Sequence, residues 1–179
     1  MPSSEKRTGA GNQQERREVE GWITGFVDGE GCFTVSIIRN YTATQKIAYQ
    51  VFCEFVVTQG ERSRTSLETL ERFFKCGYIN RNRRHDNHRE DVLKYCVRAL
   101  QELDEIIIPF FEKHPLRTAK RYDFRIFRKI VRLVRRKRHL KPGGLQAIAD
   151  LMATMNRKRR TQLLESSETI RRTPVRKNS

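Results

Sequence analysis

Residues 21–32 read Gly21-Trp22-Ile23-Thr24-Gly25-Phe26-Val27-Asp28-Gly29-Glu30-Gly31-Cys32. Gly21, Gly25 and Gly29 stand four apart, a spacing that lines them along one face of a helix. A glycine inside a helix costs roughly 1 kcal/mol relative to alanine, so three on one stripe point to a use other than helix stability. Small residues let two helix backbones approach closely. The apolar flanks are too short for a membrane span, so a soluble helix pair is the expected use. Val19, Trp22, Ile23, Phe26 and Val27 keep helical spacing from about residue 17 to residue 27, and residues 28–31 break it.

The helix ends on two acids, Asp28 and Glu30, set among glycines. Acids at a helix C-terminus oppose the macrodipole, so stability alone would not place them there. A hard cation such as Mg²⁺ takes carboxylate and backbone oxygens, and a helix end exposes carbonyls. On the residues alone two readings stand side by side: an ordinary helix-to-strand turn, or a cation site at a helix junction.

Outward from this segment, β-branched and aromatic residues predict strands over 32–39, 48–58, 78–83 and 91–98. Helical spacing predicts helices over 65–74, 100–111, 117–138 and 145–155, with Pro109 weakening the end of the second. Cys76-Gly77 is a glycine stop for the first of these. The order is helix-strand-strand, twice, then a helix. It implies an α+β fold: an αββαββα core with one four-stranded antiparallel sheet, helices on one of its faces, and additional C-terminal helices. Residues 1–14 read as a disordered leader, 15–160 as a single domain, and 161–179 as a basic tail, partly disordered.

The chain has 179 residues and a formal charge of +16. Residues 113–141 alone carry a net +12 and residues 157–177 a net +6, leaving a remainder of −2. A basic excess gathered in the C-terminal half attracts phosphate polymers through counterion release. No run approaches a membrane span, and residues 1–20 hold four glutamates and no apolar core of a secretory signal. Cys32, Cys53, Cys76 and Cys96 form no C-x-x-C pair. They read as small reduced buried groups, which suits an intracellular protein, in a bacterial cytoplasm or an organelle.

The stretch ITGFVDGEG, residues 23–31, followed by a strand within the αββαββα order, resembles the signature of LAGLIDADG homing endonucleases. The resemblance covers residues 17–135. Ile23 and Thr24 depart from the commonest Leu and Ala, which bears on helix packing rather than on chemistry. The resemblance implies a site-specific double-strand DNA endonuclease that hydrolyses phosphodiesters with Mg²⁺, with Mn²⁺ or Ca²⁺ able to replace it in binding. Glu30 matches the metal-binding acid, the Gly29 carbonyl completes the shell, and Asp28 is structural at the helix end. Gln59 matches the polar residue near the water or metal. Lys120 matches the basic residue at the scissile phosphate, with Lys113 as its competitor.

One copy of the signature implies a homodimer on a long pseudo-palindromic duplex, joined through Gly21, Trp22, Gly25, Phe26, Asp28 and Gly29. Strand alternation puts Thr34, Ser36, Ile38 and Asn40 on the face that meets DNA. Gln50 and Val56 by resemblance, and Asn80, Asn82, Arg84 and Lys94 by residue type, extend that set. Arg39, Arg81, Arg83 and Arg89 fall at strand ends and turns as phosphate contacts, and the basic helix over 117–138 extends their grip along the duplex. The same fold also serves intron RNA-splicing maturases and DNA-binding proteins that lost the acid. Intron RNA is therefore a second partner the resemblance admits, and the retained Glu30 favours catalysis.

Overall fold

The computed structural model describes residues 9–39, 49–82 and 91–155. The elements are α1 (Gly9–Glu30), β1 (Gly31–Arg39), β2 (Tyr49–Gly60), α2 (Arg64–Phe74), β3 (Tyr78–Asn82) and β4 (Val92–Val97). They continue as α3 (Leu100–Glu102), a π turn (Leu103–Ile107), α4 (Ile108–Lys113), α5 (Lys120–Arg135) and α6 (Gly144–Ala153). The four strands form one sheet in the order β1-β2-β4-β3. The expected α+β class, antiparallel sheet and helix-strand order are all present.

Three boundaries differ from the sequence reading. First, α1 begins at Gly9, inside the stretch read as a leader, and continues through Asp28 and Glu30 rather than breaking there. Second, the left-handed residue that ends α2 is Lys75, with φ 53°, not the glycine that follows. Gly77, with φ +75°, serves the sheet instead. An added Cβ there would lie 2.7 Å from the Cys96 carbonyl oxygen. Third, Pro109 does not end its helix. The π turn comes just before it, and a proline near the start of α4 lacks only an amide that has no obligatory acceptor.

The described residues group into two compact units: those within 1–32 and 54–121, and those within 33–53 and 122–179. In the first unit β2 pairs antiparallel with β4, and β4 with β3. Phe55 of β2 centres the core, edge-on to Phe111 at 5.7 Å, Tyr95 at 6.2 Å and Phe74 at 6.4 Å. Leu67 and Leu70 of α2, Ile23 and Val27 of α1, and Leu103, Ile107 and Ile108 complete it, all fully buried. The one buried hydroxyl among these rings, on Tyr95, donates to the Cys76 carbonyl at 2.9 Å. That bond offsets most of the cost of burying it.

In the second unit Phe33 of β1 meets Phe124 and Phe127 of α5, each ring at 5.2 Å. Ile130, Val131 and Val134 continue that buried stripe, and Ile148 and Met152 of α6 are buried too. The opposite side of α5 carries Arg125, Lys129 and Arg132, with Arg136 just beyond its end, around an open groove of about 740 Å³ with Tyr122 and Ile126 in its lining. Phe33 draws α5 to the inner side of β1, away from the side that Thr34 and Ser36 occupy. The basic helix is therefore not part of the outer face of β1. No described helix is long and apolar enough to cross a membrane. None of the four cysteines is in a disulfide; Cys53, Cys76 and Cys96 are buried as expected, whereas Cys32 is exposed, at the start of β1.

Candidate nucleic-acid interface and carboxylate site

Gly31 joins α1 to β1 where the chain turns sharply. A Cβ there would fall 2.6 Å from the Val27 side chain and 2.8 Å from its carbonyl oxygen. At Gly21, Gly25 and Gly29 the opposite holds: an added Cβ would meet nothing within 4 Å. The stripe is an open groove along α1, edged by Trp22, which is 42% exposed and stacked on Phe26 at 4.9 Å. Thr24 does not disturb that groove with a loose hydroxyl, because its Oγ1 donates to the Glu20 carbonyl at 2.7 Å.

Asp28 is engaged within its own chain. Its carboxylate accepts the Arg117 amide at 2.8 Å, the Thr118 amide at 3.1 Å and the Thr118 hydroxyl at 2.6 Å. Partial burial by itself pushes the pKa of this carboxyl up. The Thr118 hydroxyl, the two amides and the nearby Lys120 outweigh it and hold the carboxyl below its ordinary pKa. The oxygens assigned by resemblance to the interface between protomers thus fasten α1 to the turn ahead of α5.

Lys120 turns back from that same turn. Its ammonium donates to the Val27 carbonyl at 2.8 Å and the Gly29 carbonyl at 3.1 Å. A cation on the last carbonyls of α1 complements the negative end of the helix dipole. Glu30, next along, is exposed. The structure therefore brings Lys120, Gly29 and Asp28 together beside Glu30. Gln59 is half-buried at the end of β2, opposite Leu93 in register. Among the described residues no hydrogen bond joins it to Glu30 or Lys120. Lys113 is exposed at the end of α4.

Glu30 and the Gly29 carbonyl are oxygen donors of the type a hard divalent cation takes. One chain supplies a single uncommitted carboxylate here, and no cluster of three metal-ligating side chains occurs among the described residues. The donor chemistry fits a cation shared with a second copy of the same helix end.

The register fixes which residues share the sheet's outer face in the first unit. Thr58, Lys94 and Asn80 stand directly opposite one another in one row, and Val56, Cys96 and Tyr78 in the next. Lys94 is thereby placed with Asn80, a parity the sequence left open. Val56 belongs to this face, yet it is only 6% exposed. Asn82 is described by its backbone register opposite Val92. In the second unit Ser36, Ile38 and Gln50 are exposed and Thr34 is half-buried. Asn40, Arg83, Arg84 and Arg89 lie outside the described residues, as does the side chain of Arg39.

Sequence reading missed two features. Arg81 is on the inner row opposite Leu93, and pairs with Glu61 at 2.9 Å and Asp91 at 3.6 Å rather than standing free for phosphate. Its odd-number parity with half-buried Ile79 signalled this. Glu54 lies on β2 between buried Cys53 and Phe55, so its carboxylate is directed to the outer face. There Lys94 Nζ at 2.9 Å, Arg98 at 2.8 Å and the Cys96 thiol at 2.8 Å all donate to Oε1. Partial burial raises the Glu54 pKa, but these donors prevail and lower it. Two cations of the outer face are thus held in place by one acid.

Residues 23–131 match the family model described as LAGLIDADG endonuclease. A protein of Neurospora crassa, probable intron-encoded endonuclease 2, is 36% identical over 136 residues, which span 75% of this chain and 28% of that protein. The chain thus spans about a quarter of the length of such relatives. The crystal structure of the homing endonuclease I-TnaI superposes with a TM-score of 0.73 at 39% identity, covering 84% of this chain and 97% of that one. The I-SmaMI LAGLIDADG homing endonuclease bound to cleaved DNA gives a TM-score of 0.69 at 30% identity, over 78% of this chain and 44% of that one. With the glycine-lined helix, the carboxylate at its end and the curtain of strands behind it, this agreement shows that the chain belongs to the LAGLIDADG endonuclease family.

Proposed function

We propose that the chain is a site-specific double-strand DNA endonuclease of the homing type, hydrolysing phosphodiesters as a homodimer on a long pseudo-palindromic target. The observation that carries this reading is the Lys120 ammonium on the Gly29 carbonyl, directly beside exposed Glu30 at the end of the glycine-lined helix. A carboxylate and a cation meet there at one helix terminus. A likeness to I-SmaMI bound to cleaved DNA supports the substrate class, and the match to 44% of that chain leaves room in it for a second such unit.

In this reading the open α1 faces of two protomers meet along Gly21, Gly25 and Gly29, with Trp22 and Phe26 at the edges. The twofold axis brings the two Glu30 carboxylates and Gly29 carbonyls together, the oxygen set for Mg²⁺. Glu30 and the Gly29 carbonyl would hold that ion, which would supply an activated water and charge stabilisation at the leaving oxygen. Lys120 contributes positive charge at the scissile phosphate, and Gln59 orients the water. Thr34, Ser36, Ile38, Gln50, Asn80 and Lys94 face the major groove, where Asn suits adenine and Lys suits guanine. The protein acts inside the cell, where its duplex substrate and reduced thiols are found.

The test is digestion of a randomised duplex library with Mg²⁺, sequencing the ends produced. Wild type should yield paired cuts at one sequence class. Glu30→Gln should keep duplex binding and lose cleavage by roughly a hundredfold or more. Equal cleavage by Glu30→Gln removes the carboxylate assignment. Binding without any cleavage by wild type assigns the chain to recognition, of DNA or of intron RNA, rather than hydrolysis.

A further inference from the structure

Thr118 has no assigned part in the proposed chemistry, yet it occupies the middle of a closed chain of hydrogen bonds. Its Oγ1 donates to Asp28 at 2.6 Å, and its amide binds the same carboxylate at 3.1 Å. The same Oγ1 accepts the Lys120 amide at 3.3 Å, and the Thr118 carbonyl accepts the Arg121 amide at 3.2 Å. Thr118 therefore caps the first turn of α5, and Lys120 is the first residue of that turn. From this start the Lys120 side chain reaches the Val27 and Gly29 carbonyls, which flank Asp28 in sequence. Both ends of the loop close on the same three residues of α1.

We infer that Thr118 is a positioning residue: its hydroxyl, held by the Asp28 carboxylate, fixes where α5 begins and so places the Lys120 ammonium on the Gly29 carbonyl. A lysine carries large rotamer freedom, and a single distant anchor would leave its head spread over several ångströms. Here the backbone start is held by Asp28 through three donors, and only the four-carbon stem is left to order. The side chains involved are at the surface, where water competes for each bond. The arrangement therefore depends on the hydroxyl and the carboxylate acting together. The use of Lys120 at a phosphate rests on the function proposed above, whereas its placement is a property of the protein alone.

Acylation of lysines by acetic anhydride, read by peptide mass spectrometry on the full chain without DNA, tests the placement separately from activity. In wild type Lys120 should react more slowly than exposed Lys75. Thr118→Val should speed Lys120 alone by roughly three- to tenfold, the loss of about one surface hydrogen bond. Lys75, Lys94 and Lys129 should keep their rates. Thr118→Ser should restore the wild-type rate. On a duplex that wild type cleaves, Thr118→Val should slow single-turnover cleavage without weakening binding, and should add nothing to Lys120→Met. Unchanged Lys120 acylation in Thr118→Val overturns the inference, and so does equal acceleration of every lysine. A wild type that cuts no duplex leaves the acylation result to decide the placement, and counts against the function alone.

Discussion

Lys120 donates a 3.1 Å hydrogen bond to the carbonyl of Gly29, ninety-one residues earlier in the chain. A cation is thereby stationed at the negative end of α1, within one residue of the exposed carboxylate of Glu30. Lys120→Met removes the charge and keeps much of the stem's bulk. Single-turnover cleavage should fall by roughly a hundredfold, with duplex affinity changed only slightly, as measured by quench-flow and by titration of a labelled duplex. A large loss of affinity with an unaltered cleavage step would show instead that Lys120 acts as an ordinary phosphate contact.

Gly25 faces open space, so a side chain there leaves the protomer undisturbed and obstructs only a second helix. At a protein concentration where both are monomeric, Gly25→Leu should unfold at the same temperature as wild type or higher, since it removes a helix glycine worth roughly 1 kcal/mol. It should sediment as a monomer where wild type sediments as a dimer, and should no longer cut both strands. A Gly25→Leu protein that remains dimeric places the interface elsewhere.

Glu54 titrates below its ordinary value because Cys96, Lys94 and Arg98 donate to it against the opposing effect of burial. A depressed carboxyl stabilises the fold above its unfolded pKa, near 4.3, and that contribution disappears as pH falls through the folded value. Wild type should therefore exceed Glu54→Gln in melting temperature by about 2–4 °C near neutrality. The difference should close at acid pH, below the ordinary carboxylate range. Thermal melts of both proteins across pH 3–8 read this directly, taking about that window from the carboxylate values. A gap independent of pH would mean that the carboxylate charge contributes nothing.

Gly77 combines φ +75° with a backbone neighbour 2.7 Å from where a Cβ would be. Gly77→Ala should cost about 1–3 kcal/mol in urea denaturation. Gly25→Ala, with no neighbour and helical backbone, should be neutral or stabilising. Equal effects from the two substitutions would contradict the strained approach of Gly77 to β4.

Much of this was legible in the sequence. The period-two alternation of Val51, Cys53, Phe55 and Val57 gave β2 its inner face, and the glycine spacing gave α1 its open stripe. The acids at the end of α1 were visible as a conflict with the helix dipole. Their different uses were not, because Asp28 takes its partners from Arg117 and Thr118, far along the chain. Lys94 and Arg81 illustrate the same limit. Both are basic strand residues, but cross-strand register puts one beside Asn80 on the outer face and the other against Glu61 and Asp91. Glu54 was overlooked because an acid on a surface meant for phosphate looks out of place. Its purpose is evident only when Lys94 and Arg98 are seen on the same oxygen. The start of α1 at Gly9 had no apolar periodicity to announce it, since residues 11–18 are all exposed.

The π turn at Leu103–Ile107 holds one residue more than an α-helix of the same rise would use. Wound as plain α-helix, the same residues would rotate the following segment by about 100° around its axis. Ile108 and Phe111 would then leave the core, and everything downstream, including the turn at Thr118, would arrive out of phase. The wide turn is in effect a spacer that sets the angular timing of α4 and of the turn at Thr118. Deleting Asp104 or Glu105 should therefore let the turn close as plain α-helix with the downstream residues still in phase, whereas inserting a residue there should be far more disruptive than replacing one. Variation at this place in the chain is open to changes of residue type and to loss of the one extra residue, and closed to insertion.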